Sequence, residues 1–139
     1  MTSPNSGTGY DKSDCEKGGN GYMPISLQYN DYTATYARNP SLAGGDPFEN
    51  FTNRSYKGKS VKTANKQDML SVLETKAKMK GKPVIVSLEM DKPTIMSEFE
   101  GSADAILVNF GVQNKAVLDI ISGKAEPSAL LPLDRKSVV

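Results

Sequence analysis

Between residues 82 and 132 two short apolar runs alternate with two stretches of helical spacing, an order that few folds accommodate. Val84, Ile85, Val86 and Leu88 follow Pro83 in a run too short for a helix and rich in β-branched side chains, the pattern of a buried strand. Pro93 stands where a helix takes its first proline and Gly101 where a helix ends. Ile95, Met96 and Phe99 recur at helical spacing between them, which predicts a short amphipathic helix over residues 93–101. Residues 105–110 form a second near-continuous apolar run, as expected of a strand covered on both faces. Ala116, Val117, Ile120 and Ile121 repeat the helical spacing up to Gly123. Strands alternating with helices predict the α/β class: an open, mostly parallel sheet flanked by helices, joined by right-handed crossovers. Ligands of such sheets lie beyond the carboxyl ends of the strands, which singles out Glu89, Met90, Asp91, Asn109 and Gly111.

Upstream, Asn65 has the character of a helix cap, with Asp68 in the capping-box position. Met69, Leu70, Leu73 and Ala77 then make one apolar stripe that Gly81 terminates. The α/β core expected on this basis covers residues 66–133. Burial at that size scarcely outweighs chain entropy, so the core calls for the front segment or a second copy. Residues 1–65 are loop-rich, holding eight of the 12 glycines and all 6 tyrosines: Tyr10, Tyr22, Tyr29, Tyr32, Tyr36 and Tyr56. Ile25, Leu27 and Tyr29 alternate behind Pro24 as an edge strand would. The tyrosine rings either anchor the loop with their hydroxyls in water or offer a platform to a ligand with an apolar face, such as a sugar. The whole chain, residues 1–139, reads as a single domain, and residues 134–139, DRKSVV, continue no pattern and read as a non-native tail.

Composition removes several kinds of chemistry. There is no histidine and one cysteine, Cys15, so a Ser-His-Asp triad, a Cys-His pair, a His-based metal site and an intrachain disulfide are all excluded. Seventeen basic and sixteen acidic residues argue against an electrostatic nucleic-acid binder. The nine Lys and Arg residues between positions 54 and 82 read as a solvated face. No apolar run reaches the roughly 20 residues of a spanning helix and no secretion signal opens the chain, so no membrane partner and a cytoplasmic location are expected. Gly58-Lys59-Ser60 ends like a phosphate loop, but Asn53 stands where its first glycine belongs and no strand precedes it. No cofactor and no metal is called for.

The front segment gathers carboxylates among glycines: Asp11, Asp14, Glu16, Asp46 and Glu49. Cleavage of a glycosidic bond needs two carboxyl groups, one to protonate the leaving oxygen and one to attack or to activate water. Solvated turn residues are the ordinary alternative.

KPVIV, Pro93, SEFE, ADAILV, the helix with Asp119 and Gly123, and the closing PSALLP resemble, in order, the C-terminal α/β sandwich domain of glycoside hydrolase family 3, the family of β-glucosidases and β-xylosidases. The resemblance covers about fifty residues. It implies a sheet flavodoxin-like in character and a two-domain enzyme, in which a separate (β/α)8 barrel supplies the Asp nucleophile and the sandwich leans its loops over the sugar. The implied mechanism is retaining. NSGTGYDKSD resembles the family loop SGEGYD, and NRSYKGKS falls in its following polar stretch, so Tyr10, Asp11, Arg54, Tyr56 and Lys57 are implied to face a β-glucoside or β-xyloside. Thr8 stands where the family carries its acid/base Glu, and a threonine hydroxyl cannot protonate a glycosidic oxygen near neutral pH. If an acid is supplied from this chain, Asp46 or Glu49 is the expected source. The PGQEGG turn of the family is shortened to Gly111-Val112-Gln113-Asn114. The chain also begins just after a family strand, which leaves an open sheet edge through which copies could pair as a homo-oligomer. The reading is an accessory part of a β-glycosidase. The alternatives are a carbohydrate-binding module without chemistry and a structural dimerisation module.

Overall fold

The two apolar runs are neighbouring parallel strands in the computed structural model, which describes residues 1–39 and 54–129. In chain order the elements are α1 (Lys12–Glu16), β1 (Tyr32–Thr33), β2 (Ser60–Val61), α2 (Lys66–Lys78), β3 (Ile85–Glu89), β4 (Ala105–Asn109) and α3 (Asn114–Ile121). β3 and β4 pair in parallel from Ile85 opposite Ala105 to Glu89 opposite Asn109. β1 and β2 form a separate antiparallel pair, Tyr32 opposite Val61 and Thr33 opposite Ser60. The architecture is mixed α/β, with small sheets and a few helices. Among the described residues no helix is long and apolar enough to cross a membrane.

The period of two along β3 sends Val86, Leu88 and then Met90 into the core, while Ile85 and Glu89 are exposed. Met69 from α2 and Met96 and Phe99 from the crossover close over that face, with Tyr29 reaching in from the front segment. Burying Leu88 and Phe99, at 0% and 1% exposure, each contributes about 2 to 3 kcal/mol from the apolar area removed from water.

Three expectations are corrected here. The crossover contains no α-helix over residues 93–101, but two 3-10 turns, Met96–Glu98 and Glu100–Ser102. A three-residue turn eclipses positions i and i+3, so Met96 and Phe99 are buried together without the cost of nucleating a short α-helix. Residues 25–29 are not a strand. The Ser26 hydroxyl donates to the Gln28 carbonyl at 3.0 Å and accepts the Gln28 N–H at 3.1 Å, and such local bonds compete with a sheet ladder. Finally β4 is not covered on both faces: none of its residues is buried, and α3 carries no buried residue, with Leu118 62% exposed.

Residues 1–3 run along β3 on the side away from β4. Thr2 bridges Glu89 in parallel, with Glu89 N–H donating to the Met1 carbonyl and Ser3 N–H to the Glu89 carbonyl, both at 3.0 Å. Asn65 locks this segment down and does not cap α2 with its side chain. Its Oδ1 accepts the Asn5 N–H at 2.7 Å and its Nδ2 donates to the Ser3 carbonyl at 3.0 Å. Asp68 accepts the Thr2 N–H at 3.3 Å, so the pair that looked like a capping box is a clasp for the N-terminal residues.

Asp104 joins α2 to the starts of both strands, accepting from Lys76 Nζ and from Val84 N–H, each at 2.7 Å. The Lys76 bond first, and the Val84 N–H second, hold its carboxyl below the usual aspartate range. A carboxyl whose pKa is lower folded than unfolded stabilises the fold above its unfolded pKa and loses that contribution as pH falls through the folded value. Asp104→Asn is therefore expected to lower the urea midpoint at neutral pH, with the gap to the parent protein closing below pH ~4. A gap independent of pH, in denaturation curves taken across that range, would contradict this role.

Candidate functional site

The glycines of the front segment let the chain fold back on itself around α1. Asp11 caps this five-residue helix: its Oδ1 accepts the Ser13 N–H at 2.8 Å and its Oδ2 accepts the Ser13 hydroxyl at 3.0 Å. Those bonds hold the Asp11 carboxyl below its ordinary pKa. An antiparallel bridge between Tyr10 and Tyr22 closes the loop, with Asp11 N–H donating to the Gly21 carbonyl and Met23 N–H to the Gly9 carbonyl, both at 2.9 Å. Gly21 is buried with φ +78°, and a Cβ there would lie 2.5 Å from the Tyr10 ring and 2.6 Å from Cys15 Sγ, so both backbone and space require glycine.

Asp14 is the centre of this loop. Its Oδ2 accepts the Gly21 N–H at 2.8 Å and Lys59 Nζ at 2.5 Å. The same Lys59 ammonium donates to Asn20 Oδ1 at 2.5 Å, and Asn20 Nδ2 donates to the Ser55 carbonyl at 2.7 Å. The Lys59 and Asp14 side chains are only 20% and 26% exposed, and the Lys59 bond, ahead of the Gly21 N–H, lowers the Asp14 pKa. A fixed ammonium and a fixed carboxylate thus bind the loop of residues 7–22 to residues 55–59. A partly buried charge pair with every partner satisfied sets geometry more than it adds stability.

The five residues expected to face a sugar fall on these two joined segments. Tyr10 is 57% exposed, with its hydroxyl 3.4 Å from Cys15 Sγ, a contact that raises the phenol pKa. Asp11 is committed to its helix cap. Arg54 is buried, next in sequence to Ser55, whose carbonyl Asn20 holds. Tyr56 is half-buried, and Lys57 sits exposed in the turn, its N–H donating to Ser55 Oγ at 3.0 Å. Asp46 and Glu49 lie outside the described residues. Thr8 is exposed between Gly7 and Gly9. Sequence reasoning missed Asn20 and Lys59 as the struts of the site. Lys59 was visible only as part of a failed phosphate loop, and a pairing across 45 positions leaves no local signal.

At the carboxyl ends of the parallel strands the β3 side is covered by the front segment, whereas a cavity of about 380 Å³ lies beside the end of β4, lined by Asn109, Phe110, Val112, Val117 and Ile120. On the β3 side Ser3 and Pro4 are buried, Asp91 N–H donates to Ser3 Oγ at 3.2 Å, and the Asp91 carboxylate is paired with Lys92 at 2.9 Å. Met90 belongs to the core, and Asn109 turns its amide to Ser87 Oγ at 3.3 Å and accepts the Gly111 N–H at 3.2 Å. Among the described residues no group of three or more His, Cys, Asp or Glu is placed to hold a metal ion.

No protein-family model matches the chain, and no solved structure matches it. It is 35% identical over 52 residues to beta-glucosidase C of Emericella nidulans, covering 37% of this chain and 8% of that protein. It is 34% identical over 55 residues to the probable beta-glucosidase C of Aspergillus flavus and to that of Aspergillus oryzae, covering 40% of this chain and 9% of each relative. The matched stretch spans less than a tenth of these relatives' length, and it marks a segment related to glycoside hydrolases.

Proposed function

We propose that the chain is a piece of the C-terminal α/β sandwich domain of a family 3 β-glycosidase, and that it lends substrate-facing loops to a sugar site whose nucleophile stands on a separate barrel. The observation that carries this reading is the likeness to three fungal beta-glucosidase C proteins over 52 to 55 residues. The parallel β3–β4 pair, in the register that a strand, crossover, strand unit requires, supports it.

On this reading the Asp14–Lys59–Asn20 link is what presents the site. It fixes the loop bearing Tyr10 against the turn bearing Tyr56 and Lys57, so that aromatic faces and an ammonium meet the hydroxyl-rich edge of a sugar. Asp46 or Glu49 supplies an acid, if this chain supplies one, since Thr8 cannot. Retaining hydrolysis needs two carboxyl groups about 5 to 5.5 Å apart, and the second belongs to the barrel. The isolated chain therefore binds and does not cleave.

The purified chain is expected to leave a chromogenic β-glucoside intact, no faster than its Asp46→Ala/Glu49→Ala variant. Glucose or xylose at millimolar concentration is expected to shift the NMR signals of Tyr10, Tyr56 and Lys57. Turnover by the chain alone, lost in the double variant, would overturn the accessory role. Absence of any sugar response at those three residues would overturn the site.

A further inference from the structure

Asn20–Gly21 is the one Asn-Gly pair in the sequence, and the fold sets charged groups against both of its reactive ends. An asparagine side chain can react with its own successor: the nitrogen of the next residue attacks Cγ and closes a succinimide ring. The two partners are tethered to one another, so closure depends on how they are held and not on concentration. Glycine offers the least hindered nitrogen. At position 21 the positive φ and the contacts with Tyr10 and Cys15 require that residue in any case.

The Gly21 N–H donates to Asp14 Oδ2 at 2.8 Å, which places a carboxylate at the proton that the attacking nitrogen must shed. Asn20 Oδ1 is the oxygen that gathers negative charge when Cγ is attacked. It accepts Lys59 Nζ at 2.5 Å and the Tyr22 N–H at 3.1 Å. An ammonium and a backbone N–H on one carbonyl oxygen are the parts of an oxyanion hole. Lys59 Nζ also meets Asp14 Oδ2 at 2.5 Å, so the proton acceptor and the oxyanion donor are held as one unit.

We propose that Asn20–Gly21 is a self-modifying site, at which Asp14 and Lys59 drive conversion of Asn20 to aspartate and isoaspartate. Gly21 N bonds to Asn20 Cγ and gives its proton to the Asp14 carboxylate, which returns it to Nδ2. The Cγ–Nδ2 bond then breaks and ammonia leaves with the electron pair. Water opens the ring: attack at Cγ yields aspartate, and attack at the main-chain carbonyl yields isoaspartate. The bond that Nδ2 donates to the Ser55 carbonyl at 2.7 Å is lost in both products, and each adds a negative charge close to Asp14. Isoaspartate also lengthens the backbone by one methylene, next to the bridge between Tyr10 and Tyr22. The link between the loop of residues 7–22 and residues 55–59 thus carries its own slow, irreversible release.

The test is peptide mapping by mass spectrometry of the full chain held in mildly alkaline buffer, with isoaspartate counted by an isoaspartyl methyltransferase. Product at Asn20 is expected to form about tenfold faster in the folded chain than in the same chain unfolded in urea, less than a positioned base gives in an enclosed enzyme site because this one is partly in water. Lys59→Met and Asp14→Asn are each expected to lose most of that factor, with protection of the β4 amides confirming that the variant is folded. Should a variant not fold, the ratio of folded to unfolded rates in the parent decides alone. Three results would overturn the proposal. One is a folded rate equal to or below the unfolded rate. Another is a parent-like rate in either folded variant. The third is conversion at Asn5, which precedes Ser6, ahead of conversion at Asn20 in the folded chain.

Discussion

Phe99→Ala is expected to cost about 3 to 5 kcal/mol and to leave little or no cooperative unfolding transition. The ring is 1% exposed and meets Tyr29 edge-on, with centroids 5.9 Å apart and planes at 76°. Edge-to-face pairs of this kind add about 0.5 to 1.5 kcal/mol beyond the area they bury. Its position matters as much as its size. Phe99 lies between the two 3-10 turns, with no helix of its own to hold it, so its burial is what keeps the crossover on β3. Among the described residues the buried cluster around it includes Tyr29, Met69, Val84, Val86, Leu88, Met90 and Met96. Domain stabilities are only about 5 to 15 kcal/mol, so a loss of this size equals much of the total. Phe99→Leu keeps most of the volume and is expected to cost less than half as much. Urea denaturation followed by circular dichroism measures both, and a cooperative transition in Phe99→Ala within about 1 kcal/mol of the parent would refute the assignment.

What the sequence disclosed, and what it withheld, follows from the range of the interactions. The β-branched run at Val84 and the run from Ala105 announce strands because period and composition are local properties, and the two do pair in parallel. The stripe through Met69 and Leu73 announces α2 for the same reason. At residues 93–101 the same spacing misled, because Met96 and Phe99 stand three apart and suit a 3-10 turn as well as an α-helix. The role of Asn65 was hidden differently. Its side chain has the chemistry of a cap, but its partners Asn5 and Ser3 lie about sixty positions earlier and hold it elsewhere. The candidate site followed the same division: Tyr10, Asp11, Arg54, Tyr56 and Lys57 were implied by the resemblance of their local sequence to family segments, whereas the Asp14–Lys59–Asn20 link that joins the two segments is a purely long-range event.

Glu98→Ala is expected to loosen Tyr29 and Asn30 from the crossover while leaving β3 and β4 paired. The Glu98 carboxylate accepts Tyr29 N–H at 2.5 Å, Asn30 N–H at 3.1 Å and Asn30 Nδ2 at 2.7 Å, across nearly seventy positions of chain. Of these donors the Tyr29 N–H is part-buried, whereas both Asn30 donors are exposed and can turn to water once the carboxylate is gone. Leaving one partly buried donor unmet costs about 1 to 3 kcal/mol, and a loss within that range is expected. Glu98→Gln retains one oxygen but turns an NH2 group towards one of the donors, and so is expected to fall between the parent and the alanine variant. The distinguishing measurement is local: Tyr29 and Asn30 amides should exchange rapidly in Glu98→Ala, while the β4 amides keep their protection until global unfolding. Tyr29 also carries the consequence onward, since its hydroxyl donates to the Thr2 carbonyl at 2.6 Å and burial pushes the phenol pKa well up. Losing Glu98 thus reaches the Thr2 contact through one residue. Parent-like exchange at Tyr29 and Asn30 in the alanine variant would show that the carboxylate is incidental to how these two residues are seated.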